Sequence, residues 1–288
     1  MVKKIAVIGA GALSRIFCTQ TQKLLSDDYR IVAVMARHFE HAERLTKDLN
    51  AKACTDLTEL LAEKPDIVVE FAGREAIKDY AIDVLKNGSD VVIVSIGALA
   101  DDDFRHRLTD TAQEMNRKVY LPNGAIGALD LMQTFALMGG AEVTIGNTKA
   151  PRSLEGAPYL KGQSLPTDKK TVIFEGTVGD AINGFPKNVN VAVAAALASG
   201  TLNEATVRIT SDPLSSENIH RIVLKNKFIR AELTIAGKPD PANPKSSTST
   251  AWSVVALLKN LASPLSFYWF RLLFWRAFDN FFTPKNED

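Results

Sequence analysis

The sequence has little cysteine, little histidine and almost no excess charge. Its 288 residues include two cysteines, Cys18 and Cys54, and four histidines. Two cysteines so far apart exclude a disulfide framework and a CxxC metal knuckle. No HExxH string or Cys/His cluster occurs, so no metal is expected, and no GxSxG string is there to form a nucleophile elbow. Basic residues number 34 against 33 acidic. A balance so near zero argues against a nucleic-acid partner, whose binding draws on a positive surface. The start, Met1-Val2-Lys3-Lys4 with a few apolar residues before Gly9, is too short for a signal peptide's hydrophobic region, so a cytoplasmic protein is expected. Apolar residues at 46% and charged ones at 23% are those of a chain that buries a core.

What is present is a regular alternation through the first 120 residues. Ile5–Ile8, Ile31–Val34, Ile67–Val69 and Val91–Val94 are short β-branched runs, suited to strands buried on both faces. Between them, His38–Leu49, Glu75–Leu85 and Asp101–Met115 have helical spacing and charged faces. The pattern predicts an α/β fold with an N-terminal doubly wound parallel sheet of the Rossmann type. Beyond Pro122 a helix is expected over Ala125–Met138. Strand formers follow at Glu142–Thr148, Thr171–Phe174, Thr206–Thr210, Ile219–Leu224 and Phe228–Ile235, with a helix at Ala192–Ala198 and a last one from about Thr250 to Leu261. Strands with few crossover helices predict a C-terminal α+β domain with a mixed or antiparallel sheet. The expected divisions are a dinucleotide-binding domain at 1–123, a substrate domain at 124–245, a returning helix at 246–262 and an aromatic extension at 263–288.

The first strand runs directly into Gly9-Ala10-Gly11-Ala12-Leu13-Ser14, which opens a helix. In such a turn the first glycine permits the sharp bend and the second lets the backbone approach a pyrophosphate at the helix N-terminus. Gly9, Gly11, Ala12 and Leu13 are therefore candidate cofactor contacts. An NAD-specific site places Asp or Glu at the end of the second strand, to hold the ribose 2′-OH. Here Val34-Met35-Ala36-Arg37-His38 has no carboxylate before Glu40. Arg37 suits a 2′-phosphate, so NADP is favoured over NAD.

Among the histidines, His38, His41 and His106 read as surface residues, and Cys18 as a small buried hydrophobe. His220 is different: strand alternation in Asn218-Ile219-His220-Arg221 sets it with Asn218 on a polar face. There it is either a general base or a structural histidine. Phe185-Pro186-Lys187-Asn188-Val189-Asn190-Val191 and Asn243-Pro244-Lys245-Ser246-Ser247 combine loop formers with a lysine and amides, suited to gripping a carboxylate or a carboxamide, or simply to capping helices.

Together these strings resemble the L-aspartate dehydrogenase family. The resemblance also rests on Asp66–Glu70 with Arg74-Glu75-Ala76, Val94-Ser95-Ile96-Gly97-Ala98-Leu99-Ala100-Asp101, Leu121–Asp130, Leu160-Lys161-Gly162, Phe174-Glu175-Gly176 and Asp212-Pro213. It implies NAD(P)-dependent oxidative deamination of L-aspartate to oxaloacetate and ammonia through iminoaspartate, with a link to NAD biosynthesis and a homodimer as the expected assembly. It implies that His220 is the catalytic residue and that Ala125 and Asn190 contact the nicotinamide end of the cofactor; Ser95, in a matching string, is taken with them. Substrate carboxylates need cationic or amide partners, for which Lys161, Lys187, Asn188 and Lys245 are the candidates. The chain departs from the family pattern at Ser14, at Asn123 and in the extension. The alternatives are another two-domain NADP oxidoreductase acting on a small dicarboxylate or imine, and a non-catalytic NADP-binding sensor.

The extension carries nine aromatic side chains between residues 267 and 282, interrupted by Arg271 and Arg276. It is too short for a membrane span. Packing on its own domain or a partner subunit is the expectation, with a membrane-surface anchor and a disordered or unused tail as the alternatives.

Overall fold

The computed structural model describes residues 2–186, 189–238, 247–265 and 267. Most of the aromatic extension lies outside the described residues, as do Lys187, Asn188 and Lys245.

The first half runs β1 (Lys3–Ile8), α1 (Ala12–Leu24), β2 (Tyr29–Met35), α2 (Phe39–Thr46), β3 (Lys52–Cys54), α3 (Leu57–Leu61), β4 (Ile67–Glu70), α4 (Arg74–Lys86), β5 (Asp90–Ile93), α5 (Asp102–Glu114) and β6 (Val119–Tyr120). The six strands pair in parallel in the order β3-β2-β1-β4-β5-β6. Ile5 to Ile8 and Ile67 to Val69 are all at most 1% exposed, because helices cover both faces of the sheet. Strand order reverses between β1 and β4, and this switch point is where open α/β sheets bind ligands.

The second half runs α6 (Leu129–Met138), β7 (Glu142–Lys149), α7 (Pro151–Leu154), β8 (Thr171–Thr177), α8 (Val178–Gly184), α9 (Asn190–Ala198), β9 (Thr206–Ser211), β10 (Asn218–Lys225), β11 (Arg230–Gly237) and α10 (Ser249–Ala262). Its five-stranded sheet is mixed, in the order β11-β10-β7-β9-β8, with β7 and β9 parallel and the other neighbours antiparallel. The fold is thus a Rossmann-type sheet followed by an α+β unit. One expected helix starts later than its spacing suggests: Gly124 and Ala128 have φ of +66° and +57°, so 125–128 are irregular and α6 begins at Leu129.

Helix α9 joins the halves. Val191 to Ala196 are all buried, so the helix has no polar face, and its small side chains let it fit between α6 and the 3-10 turn Ile96–Ala100 that follows β5. The chain then returns: α10 packs on α1, and Ala251, Val254, Val255 and Leu258 join Phe17, Cys18 and Tyr29 in one core on the first sheet's outer side. Among the described residues no helix is long and apolar enough to cross a membrane.

Candidate active site

The ends of β1, β4 and β5 face the polar end of the second sheet across a cleft of about 710 Å³, within the usual range for a small-molecule site. Gly9 has φ of +105°, and a Cβ there would stand 2.9 Å from the carbonyl carbon of Phe71. Only glycine fits this crossing of the β1 and β4 loops. At Gly11 the reverse holds: nothing lies within 4 Å of where a Cβ would be. Helix α1 carries no acidic residue in its first turn and no side-chain cap, so its N-terminal N–H groups are open to an anion. A tight first glycine, an open second one and an uncapped helix start fit a dinucleotide pyrophosphate. Ser14, in the third small position, is fully buried, and its Oγ has no hydrogen-bond partner among the described residues.

Below this turn lies a carboxylate whose role was not visible in the sequence. Glu70, the last residue of β4, is fully buried and accepts from Gly73 N–H at 2.7 Å, Ser95 N–H at 2.9 Å and Ser95 Oγ at 2.8 Å. Burial pushes its carboxyl above the usual range, while these donors pull the other way. Glu70 therefore ties the β4 and β5 loops together under the cleft.

From the other side, Gly97 N–H donates to Asn190 Oδ1 at 3.0 Å, linking the β5 loop to the start of α9. A Cβ at Gly97 would fall 2.7 Å from that oxygen. With Oδ1 so engaged, the amide nitrogen of Asn190 is left as the donor at the cleft edge.

His220 stands on β10 opposite Asn147 of β7. It is 5% exposed, and its Nδ1 lies 2.6 Å from Asn147 Oδ1. An amide oxygen only accepts, so Nδ1 carries the hydrogen and Nε2 keeps its lone pair. The strand parity read from the sequence holds, but the face is not the polar one expected: Ile222 and Leu224 continue it into the core, and Arg221 points away to solvent. This sheet face is apolar along its length and becomes polar only at the cleft, through Asn147, Lys149, Asn218 and His220. Burial, with the nearby Lys149 cation adding to it, lowers the His220 pKa to about 3. Burial likewise lowers that of Lys149 to about 8.

Of the candidates from the sequence, Gly11, Ala12, Leu13, Ser95, Ala125, Asn190 and His220 all line this one cleft. Gly9 lies behind the turn it shapes. Arg37 is exposed on the loop after β2, and Lys161 is exposed after the 3-10 turn Pro158–Leu160; neither lines the cleft. Among the described residues, the lysine that lines the cleft is Lys149. The expected strand stopped at Thr148, one residue short of it. Its signal was the alternation Val143, Ile145, Asn147, Lys149, which carries polar side chains onto a buried face. His38, His41 and His106 are exposed, and burial pushes the Cys18 thiol up to about 12.

Comparison with known proteins matches residues 130–261 to the family model described as aspartate dehydrogenase, C-terminal, and residues 7–122 to the homoserine dehydrogenase NAD-binding domain. An L-aspartate dehydrogenase of Methanococcus maripaludis is 38% identical over 268 residues, covering 91% of this chain and 98% of that protein. The chain belongs to the aspartate dehydrogenase family. Another member, from Methanospirillum hungatei, is 36% identical over 262 residues with the same coverage. The crystal structure of aspartate dehydrogenase from Thermotoga maritima superposes with a TM-score of 0.71 at 28% identity, covering 93% of this chain and all of that one. A homoserine dehydrogenase from Thiobacillus denitrificans, 13% identical with a TM-score of 0.60 over 91% of this chain and 73% of that one, shares the fold. As a dehydrogenase of this family the chain uses a nicotinamide cofactor, and its first half is the domain that binds it.

Proposed function

We propose that the protein catalyses the NAD(P)-dependent oxidative deamination of L-aspartate to oxaloacetate and ammonia, and the reverse, through iminoaspartate. The observation that carries this reading is His220, its ring held by Asn147, on the floor of the cleft that the glycine turn opens. The α1 N-terminus with Gly11 would hold the pyrophosphate, and Ser95, Ala125 and Asn190 the nicotinamide end. The cofactor, when bound, accepts the hydride from Cα of the amino acid. His220 Nε2 takes a proton from the substrate amine as the imine forms and releases it to solvent; free again, it relays the protons of the attacking water to the nitrogen, which departs as ammonia. In the free cleft the imidazole is neutral, which is the form a base needs. A dianionic substrate brings opposite charge beside the ring and raises its affinity for the proton. Oxidation of NADPH or NADH by the purified protein with oxaloacetate, dependent on added ammonia, is the expected result. No ammonia-dependent turnover would defeat the reading.

The cofactor is proposed to be NADP in preference to NAD. Strand β2 ends at Met35 with no carboxylate until Glu40 in α2, and the exposed guanidinium of Arg37 stands beyond the strand end. Arg37→Ala is expected to weaken NADP binding about tenfold while leaving NAD within about twofold. Equal losses in Kd for both cofactors would remove Arg37 from this role.

A further inference from the structure

The polar end of the second sheet has two rows. The first is the cross-strand pair Asn147 and His220. The second, one pleat further toward the strand ends, holds Lys149 at the end of β7, its register partner Ser211 on β9, and Asn218 at the start of β10. Lys149 is 4% exposed, Asn218 is 5% exposed, and both line the cleft. Ser211 is fully buried, and its hydroxyl has no hydrogen-bond partner among the described residues. A cation, an amide and an unengaged hydroxyl in one buried row are the donor set a carboxylate takes up. Two residues along a strand span about 7 Å. That step suits a four-carbon diacid lying along the strand, with its amine at the first row and its far carboxylate at the second.

We propose that the row Lys149, Ser211 and Asn218 is the subsite for the substrate's second carboxylate, and that Lys149 selects dicarboxylates over monocarboxylates. The proposal rests on reading the cleft as an amino-acid dehydrogenase site. Among the described residues, the other charged side chains lining the cleft besides His220 are Arg74 and Glu75, at the start of α4. Arg74 faces the β5 loop, its Cδ 3.1 Å from a Cβ built at Gly97, and Glu75 is exposed. Ile235 of β11 faces His220 across the sheet, and the α9 and α10 residues at the cleft, Asn190, Val191, Ala194 and Thr250, carry no charge. Among the described residues Lys149 is the cation that lines the cleft on the second row; Asp212, which follows Ser211, is 3.7 Å from Lys170.

The test is calorimetric titration of the NADP-loaded protein with succinate and with propionate, for wild type, Lys149→Met and Lys149→Arg. Wild type is expected to bind succinate at least 30-fold more tightly than propionate. Lys149→Met should bind the two alike, with NADP affinity unchanged, while Lys149→Arg keeps the preference. Retention of the succinate preference in Lys149→Met would overturn the proposal, as would equal binding of the two acids by wild type. If Lys149→Met does not load cofactor, Lys149→Gln takes its place with the same two outcomes. The readout is binding, so it is decided even if wild type proves inactive with ammonia and oxaloacetate; that failure would count against the reaction and not against the subsite.

Discussion

His220→Ala is expected to lower kcat for the ammonia-dependent reaction about 10³-fold, within the span a positioned acid–base group supplies. The Kd for the cofactor should stay within about twofold, because the glycine turn and the α1 start lie on the other wall of the cleft. Steady-state kinetics with a separate cofactor titration separates the two effects. A loss confined to KM would mean that the ring binds substrate without moving protons. The same variant carries a stability signature. The folded-state pKa of His220 is depressed to about 3 from an ordinary 6.5. Between those values the unfolded chain binds a proton at this position and the folded chain does not, so stability falls as pH drops below about 6.5. The slope from one such group is about 1.4 kcal/mol per pH unit. Denaturant midpoints of wild type should therefore fall more steeply between pH 6.5 and pH 4 than those of His220→Ala. Parallel slopes would mean that the imidazole is not buried in its neutral form.

Gly9→Ala is expected to cost about 3 kcal/mol of stability, from a side chain forced to positive φ and from overlap with backbone atoms. The atoms in the way are Phe71 C at 2.9 Å, Phe71 O at 3.0 Å and Ala72 N at 3.1 Å. A flexible side chain would swing aside; main chain at the β4 end, pinned through Glu70 to Gly73 and Ser95, cannot. Relief has to come from separating the β1 and β4 loops, which widens the floor of the cofactor site, so cofactor affinity should fall at least tenfold alongside the drop in Tm. Gly11→Ala is the contrast, since a methyl group there meets nothing in the protein. Its fold should be kept while cofactor binding weakens. Equal Tm values for wild type and Gly9→Ala would contradict the geometry.

The parts of this molecule that follow periodic rules were legible from sequence. β1, β2, β4 and β5 are β-branched runs buried on both faces, and the strand–turn–helix setting of Gly9–Ser14 predicted from sequence is the one the fold has. β3, three residues at the sheet edge, and β6, two residues, are too short for any period to register. Helical spacing in 125–128 says nothing of positive φ at a non-glycine residue such as Ala128, so it does not show that α6 starts only at Leu129. At the cleft, the parity of β10 sets Asn218 and His220 together, but on the buried face and not on the polar one the alternation suggests. Sequence alternation shows which residues share a face; which face meets the core depends on the helices that pack there. Lys149 and Glu70 carry no mark in the sequence for a related reason. Each is an ionisable residue ending a buried strand, and only the pairing of strand ends across the cleft shows what it meets.

The return of α10 to α1 bears on how the chain acquires its shape. Tyr29 Oη donates to the carbonyl of Leu258 across 229 residues of sequence, and four buried side chains of α10 complete a core that otherwise belongs to the first half. During synthesis the outer side of α1 stays uncovered until about residue 260 has left the ribosome. The nucleotide-binding half is thus begun first and finished last, a long-range closure of the kind that slows folding.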